Sequence, residues 1–341
     1  HAETVLALRT DGAGETTTAL AHDGSALLPA APKPMGLRIA VLGRGAWGQT
    51  LAERWQGQGH VVSGWSRRDG GSPVDLLAHQ DLVVSAVAMA GVQALAQALG
   101  PHWPAGLPLL SCSKGLDLTQ LATATQLWAA QLPGAPLAVL SGPNLATEVQ
   151  QGLPAASVVA CADAQMAQLL QQQLSDRALR LYTNTDPIGT EAAGALKNVM
   201  AVAAGISDGL ALGANAKASL LCRGLAEIGV VLEGLGGVTS TLYGLAGLGD
   251  LLATANSRLS RNYRCGLLLA DGCSEERAYD QIAATVEGPR TARAALQLAV
   301  RQGWHLPICE QVVQVLDGAA TPADAVRALM ERDLRPEWGQ P

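Results

Sequence analysis

Three glycines, Gly43-x-Gly45-x-x-Gly48, follow the apolar run Arg38-Ile39-Ala40-Val41-Leu42 and precede a stretch with helical spacing. In that setting the spacing suits a dinucleotide. The first glycine permits a tight turn, the second lets backbone approach a pyrophosphate, and the third lets the helix pack close to the strand. The following helix then offers unpaired N–H groups and its positive dipole end to the phosphates, so Ala46 and Trp47 join the expected cofactor contacts. An ordinary strand-to-helix turn is the alternative, and the flanking elements weigh against it. An NAD site carries an acid about 20 residues past the glycines, for the ribose 2′-hydroxyl. Here the segment reads Gly64-Trp65-Ser66-Arg67-Arg68-Asp69. The Arg67 and Arg68 guanidinium groups suit a 2′-phosphate, so NADP(H) is favoured, while Asp69 keeps NAD(H) open.

These groups need a sheet to carry them. Short apolar runs at 38–42, 61–65, 81–87, 107–112 and 137–140 alternate with helical segments, of which Gln49 to Gln58 is the first. That alternation predicts an α/β fold, a doubly wound parallel sheet of Rossmann type. From Ile188 onward the pattern changes to long Ala/Leu/Gly stretches, with the clearest helices over 191–205, 216–235 and 324–331. The expected organisation is a flexible extension over 1–34, a dinucleotide-binding domain over 35–187 and an all-helical substrate domain over 188–341.

Composition narrows the functional classes. The chain has 341 residues, of which 48% are hydrophobic and 15% charged, so it can fill two cores. It contains no Phe, which leaves Leu, Ala and Val to do that filling. A formal charge of -6 gives no general attraction for nucleic acid or anionic lipid, so positive charge must be gathered locally for an anionic substrate. Six cysteines lie far apart with no C-x-x-C pair, which argues against a zinc cage or disulfide framework and for a cytoplasmic setting. No apolar run reaches the roughly 18 residues of a membrane span. No metal is expected.

Four further segments resemble the bacterial NAD(P)-dependent glycerol-3-phosphate dehydrogenase family in order and spacing. They are Ser113-Lys114-Gly115-Leu116, Leu140-Ser141-Gly142-Pro143-Asn144-Leu145-Ala146, Gly194-Ala195-Leu196-Lys197-Asn198-Val199 and Gly244 to Leu251, the last continued by Leu259-Ser260-Arg261-Asn262. Val286-Glu287-Gly288 resembles another family element. The resemblance implies hydride exchange between a nicotinamide and dihydroxyacetone phosphate, giving sn-glycerol 3-phosphate for phospholipid synthesis. The expected partner is therefore a small-molecule substrate, with no nucleic acid and no membrane span; a homodimer stays open.

Each matched residue also has a physical reading. Reducing a ketone builds negative charge on its oxygen, so a proton donor must stand close. Lys197 sits among Ala, Leu and Val, where desolvation would lower its pKa towards the working range. By resemblance Lys114 is a second substrate lysine, also near the cofactor, and Asp250 pairs with or orients Lys197, with Thr254 one helical turn beyond. Arg261-Asn262, with Ser260 before them, offers a phosphate clamp. Gly142, Asn144 and Asn198 are expected around the substrate. Ala146, Arg261, Thr285 and Glu287 are expected around the cofactor. Lys114 and Arg261-Asn262 could instead be solvated loop groups, and Asp250 a helix cap.

The chain departs from the family between Arg68 and Asp81, where twelve residues stand in place of a longer stretch. Part of the second crossover is expected to be reduced. Val87-Ala88-Met89 also replaces the family's Val-Pro-Ser. Two rival readings are a reductase of the β-hydroxyacid dehydrogenase type, acting on a carboxylate, and a non-catalytic NADP-binding sensor.

Overall fold

The structure is a computed structural model describing residues 36–333 and Pro336. The expected 1–34 extension lies outside the described residues. Strand β1 (Arg38–Leu42) is buried along all but its first residue. It joins a sheet with β2 (Val61–Trp65), β3 (Leu82–Ser85), β4 (Leu109–Ser111) and β5 (Leu137–Ser141), followed by β6 (Ala155–Cys161) and β7 (Leu179–Asn184). The seven-stranded order is β2-β1-β3-β4-β5-β6-β7. The first five strands are parallel, β6 runs antiparallel to β5, and β7 runs parallel to β6. The chain reverses its winding direction between β1 and β3, the switch point where such sheets bind ligands beyond the strand ends.

Both sheet faces are covered, as parallel strands require. One face packs Ile39, Val41 and Val159 with Leu51 and Trp55 of α1 (Ala46–Gly57) and Leu170 and Leu174 of α5 (Ala164–Leu174). The other packs Ala40, Leu42 and Val83 with Val92 of α2 (Met89–Leu99) and Leu127 and Trp128 of α3 (Ala124–Gln131). Helix α1 begins at Ala46, earlier than the apolar periodicity predicts, because the glycine loop itself supplies its first turn. Between β2 and β3 the crossover is only a 3-10 turn, Pro73–Leu77, in keeping with the short 69–80 segment. The antiparallel β6 follows the short α4 (Ala146–Gln150) and departs from the uniformly parallel sheet expected.

Helix α6 (Pro187–Gly209) starts the helical half, with Asp186 capping it by accepting from the Gly189 N–H at 2.8 Å. Nearly all of α6 is buried between α7 (Gly213–Gly234), α9 (Asp250–Ala255), α10 (Arg261–Ala270) and α12 (Gly288–Gln302). Small residues make this packing close. A Cβ on Gly266 would fall 2.0 Å from the Val202 carbonyl of α6, so the two backbones touch there. Two short elements link α7 to α9, α8 (Thr239–Leu242) and a single π-helical turn at Leu245–Gly249. Beyond α10 the chain adds α11 (Glu275–Ile282), α13 (Pro307–Leu316) and α14 (Pro322–Met330). From Gly36 onward sheet and helices form one compact unit. The expected boundary at residue 187 falls where β7 gives way to α6, inside this one unit.

Candidate active site

The glycine loop has the shape a pyrophosphate needs. Gly43 has φ of 98°, and a Cβ there would sit 2.6 Å from the Ala86 carbonyl at the end of β3. A Cβ on Gly48 would lie 2.0 Å from the Gly43 carbonyl, so only glycine allows helix and turn to meet. Gly45 differs: nothing lies within 4 Å of its added Cβ, which leaves room for an incoming ligand. Helix α1 begins with no side-chain cap and no acid in its first turn, so its positive end faces that space uncompensated. These features fit a dinucleotide cofactor. Arg67 and Arg68 are exposed just past β2. Beside them Asp69 accepts from the Ser66 hydroxyl at 2.9 Å and stands 3.4 Å from Arg44 Nη1. Ser66 first, then Arg44, hold the Asp69 carboxyl below the usual carboxylate range.

Across the switch point, α6 and α9 bring the chemistry together with the loop after β4. Lys197 Nζ donates to Asp250 Oδ1 at 2.9 Å and to Thr254 Oγ at 2.7 Å. Lys114 Nζ donates to Asp250 Oδ2 at 2.7 Å and to the Gly142 carbonyl at 2.9 Å. Thr254 Oγ donates onward to Asp250 Oδ1 at 3.0 Å. Each ammonium has three N–H donors and uses two here, leaving one for a ligand. Burial lowers the Lys197 ammonium to about 8; Asp250 opposes this, and Lys114 and Arg261 add to it. Burial would raise the Asp250 carboxyl, but Lys114 and Lys197 outweigh it and hold it below its ordinary value. Asp250 is thus not a plain helix cap, and Lys114, with its side chain only 18% exposed, is not a solvated loop charge.

The remaining residues fall into a supporting layer and an open rim. Asn198 Nδ2 reaches the Lys114 carbonyl at 3.4 Å, Asn262 Nδ2 donates to Asn198 Oδ1 at 2.9 Å, and the Gly288 N–H donates to Asn262 Oδ1 at 2.9 Å. This amide chain ties the lysine loop to the starts of α10 and α12. Ser260 caps α10, accepting from the Tyr263 N–H at 3.2 Å, and Arg261, exposed, follows it in the first turn. Glu287 accepts from the Met89 N–H at 3.0 Å, which anchors α12 against α2. Burial pushes the Glu287 carboxyl up, against the pull of Met89 and Arg261. Asn144 accepts from the Ser157 hydroxyl, yet its buried Nδ2 has no partner among the described residues. A ligand oxygen would satisfy it. Trp47 Nε1 is likewise buried without a hydrogen-bonded oxygen among the described residues and points to the Cys112 sulfur. Ala146 opens α4, and Thr285 is exposed before α12.

Several participants escaped the sequence reading. Arg44 sits inside the glycine motif, Ser157 lies on the unforeseen β6, and the Met89 contribution is a backbone group. Glu191 is the most visible omission. It is an acid within an Ala/Gly-rich helix, the same anomaly that singled out Lys197. No group of three or more His, Cys, Asp or Glu side chains suited to a metal occurs among the described residues.

The comparisons agree with this geometry. Family models for NAD-dependent glycerol-3-phosphate dehydrogenase match the chain twice, the N-terminus over residues 72–167 and the C-terminus over residues 186–327. A glycerol-3-phosphate dehydrogenase [NAD(P)+] of Synechococcus sp. (strain RCC307) is 56% identical over 303 residues, covering 89% of this chain and 100% of that protein. One from Gloeobacter violaceus is 48% identical over 304 residues, covering 89% of this chain and all of the relative. The crystal structure of glycerol-3-phosphate dehydrogenase from Coxiella burnetii superposes with a TM-score of 0.80 at 32% identity, covering 88% of this chain and 100% of that one. A 2-dehydropantoate 2-reductase from Geobacter metallireducens, at 14% identity and TM-score 0.56, shares the fold alone. The glycine loop, the lysine-aspartate cluster and these matches together establish that the chain belongs to the NAD(P)-dependent glycerol-3-phosphate dehydrogenase family.

Proposed function

We propose that within this activity Lys197 is the proton donor and acceptor, and that Lys114 holds the substrate oxygens. The observation that carries this reading is the shared carboxylate of Asp250, one oxygen on each lysine. A nicotinamide cofactor, when bound at the glycine loop, would supply or take a hydride at the substrate's carbonyl carbon. As charge grows on the ketone oxygen, the Lys197 ammonium gives it a proton and becomes a neutral amine. A lysine lowered to about 8 can do this near neutral pH, and can take the proton back in the reverse direction. Asp250 and Thr254 fix the direction of Nζ and leave its third N–H for the substrate.

Arg261, exposed at the start of α10, is assigned to the substrate phosphate together with Asn262 and Ser260, with the helix N-terminus adding to the field. Gly142, Asn144, Asn198 and Thr254 are assigned to the substrate as well. Gly43, Gly45, Ala46, Trp47, Gly48, Ala146, Thr285 and Glu287 are assigned to the cofactor, and Arg67 and Arg68 to the 2′-phosphate that favours NADP(H). The product serves glycerophospholipid synthesis in this reading, in a cytoplasm whose reducing conditions suit six free cysteines. A homodimer is part of the proposal and is read directly by light scattering.

The deciding experiment is steady-state reduction of dihydroxyacetone phosphate with NADPH and with NADH, for the parent and for Lys197→Ala. Near-parental turnover by the variant would remove Lys197 from the mechanism.

A further inference from the structure

Lys114 belongs to the loop over residues 112–123, between β4 and α3. This loop leaves the sheet and buries Leu116 and Leu121 in the helical core beside Leu196 and Val199. Asp117 folds it back: its carboxylate accepts from the N–H groups of Thr119 and Gln120, and its backbone bonds to Ala122 and Leu121. Helix α6 grips the loop at both ends. At the entrance, Asn198 reaches the Lys114 carbonyl at 3.4 Å. At the exit, the Glu191 carboxylate accepts from the Thr125 N–H at 2.9 Å and from the Thr125 hydroxyl, with the Thr123 hydroxyl as a further donor. Between them a Cβ on Gly194 would meet Ser141 Oγ at 2.7 Å and the Lys114 Cγ and Cδ at 3.9 Å. Glu191, Gly194 and Asn198 stand at i, i+3 and i+7, on one face of the helix that also carries Lys197.

Glu191 is only 4% exposed and no cation is among its partners. Such burial opposes folding unless something is gained from it. The capping box of Thr123 and Gln126 satisfies their own N–H groups, and Glu191 takes the Thr125 N–H of the same turn, which the box leaves open, from a different helix. What Glu191 adds is a tie between the loop of one lysine and the helix of the other.

We propose that Glu191 is a positioning residue for substrate turnover: by clamping the loop exit to α6 it holds Lys114 against Asp250. The proposal rests on Lys114 acting on the substrate. A neutral amide can reproduce the clamp, since Gln Oε1 accepts from the Thr125 N–H and Nε2 donates to the Thr125 hydroxyl. Burial pushes the Glu191 carboxyl up to about 7, in keeping with a site that tolerates a neutral group.

The test uses the full chain with Glu191→Ala, Glu191→Gln, Thr125→Val and Lys114→Ala. It reads kcat and KM for dihydroxyacetone phosphate, Kd for NADPH by fluorescence, and Tm. Glu191→Ala is expected to lower kcat/KM by about tenfold or more, mainly through KM, with NADPH Kd within about twofold. Glu191→Gln should return kcat/KM to within about threefold of the parent. A lower Tm with unchanged kinetic constants for Glu191→Ala would overturn the proposal. Where Glu191→Ala does not fold, Thr125→Val decides: a rise in KM of about threefold supports the clamp, and an unchanged KM overturns it. Unchanged kinetics for Lys114→Ala would instead remove the role of Lys114 and the proposal with it. An impaired Lys114→Ala beside an intact Glu191→Ala would overturn the clamp alone.

Discussion

Lys197 Nζ lies 2.9 Å from Asp250 Oδ1, and the two side chains are only 8% and 2% exposed. Asp250 gives its other oxygen to Lys114, so one buried carboxylate carries two cations. The cluster keeps a net positive charge next to the space where an oxyanion would form, which suits reduction of a phosphorylated ketone.

Replacing Asp250 with Asn leaves the shape but strands two lysines. The amide turns its Nδ2 donors towards one of them and no longer offsets either charge. We expect a stability loss of roughly 3–5 kcal/mol, the cost of breaking a buried pair. Turnover should fall by about 100-fold or more, from loss of lysine placement. Denaturant melts and steady-state kinetics measure both; unchanged stability would mean that the lysines are solvated.

Lys197→Ala should reduce kcat by about 10²–10⁴-fold while NADPH still binds. For the parent, ketone reduction needs the protonated ammonium. Its kcat should therefore fall as pH rises through about 8, where Lys197 loses its proton. Oxidation of glycerol 3-phosphate needs the neutral amine and should rise over the same range. A reduction rate flat through pH 9 would rule out Lys197 as the titrating donor.

The glycines of the dinucleotide loop should separate by consequence. Gly45→Ala meets no protein atom within 4 Å, so Tm should hold while NADPH binding weakens by about tenfold or more. Gly48→Ala puts a methyl 2.0 Å from the Gly43 carbonyl and should cost roughly 1–3 kcal/mol of stability. Equal losses of Tm in both would show that Gly45 serves packing alone.

Removing both guanidinium groups, Arg67→Ala with Arg68→Ala, should weaken NADPH by roughly 10–100-fold and NADH by less than about threefold. Titration by nucleotide fluorescence separates the two. Equal weakening would mean that the pair does not read the 2′-phosphate.

Local pattern was enough for the first five strands, the glycine loop and the long helices, because alternation and helical spacing depend on neighbouring residues. The pattern places a strand over 61–65, and β2 spans Val61–Trp65. The same kind of reading missed β6 and β7: β6 opens on Ala155-Ala156-Ser157, which has no branched side chains, although Val158-Val159 follow, and β7 carries the alternation Leu179-Arg180-Leu181-Tyr182 that was passed over. Lys197 was legible as a cation among small apolar residues. Its partner was legible only by resemblance, since residues 197 and 250 meet through the packing of α6 against α9.

By itself the sequence determined which groups are present and some of their local settings: the glycine loop between β1 and α1, and the lysine among the small apolar residues of α6. Only the tertiary structure decided that Asp250 divides its oxygens between Lys197 and Lys114, and that Glu191 ties down the loop bearing the second of these. Charge sharing at these distances depends on burial and on the approach of elements far apart in the chain. Neither is encoded in any one segment, so the glycine loop says where a nucleotide would sit and the packed lysines say what is done with it.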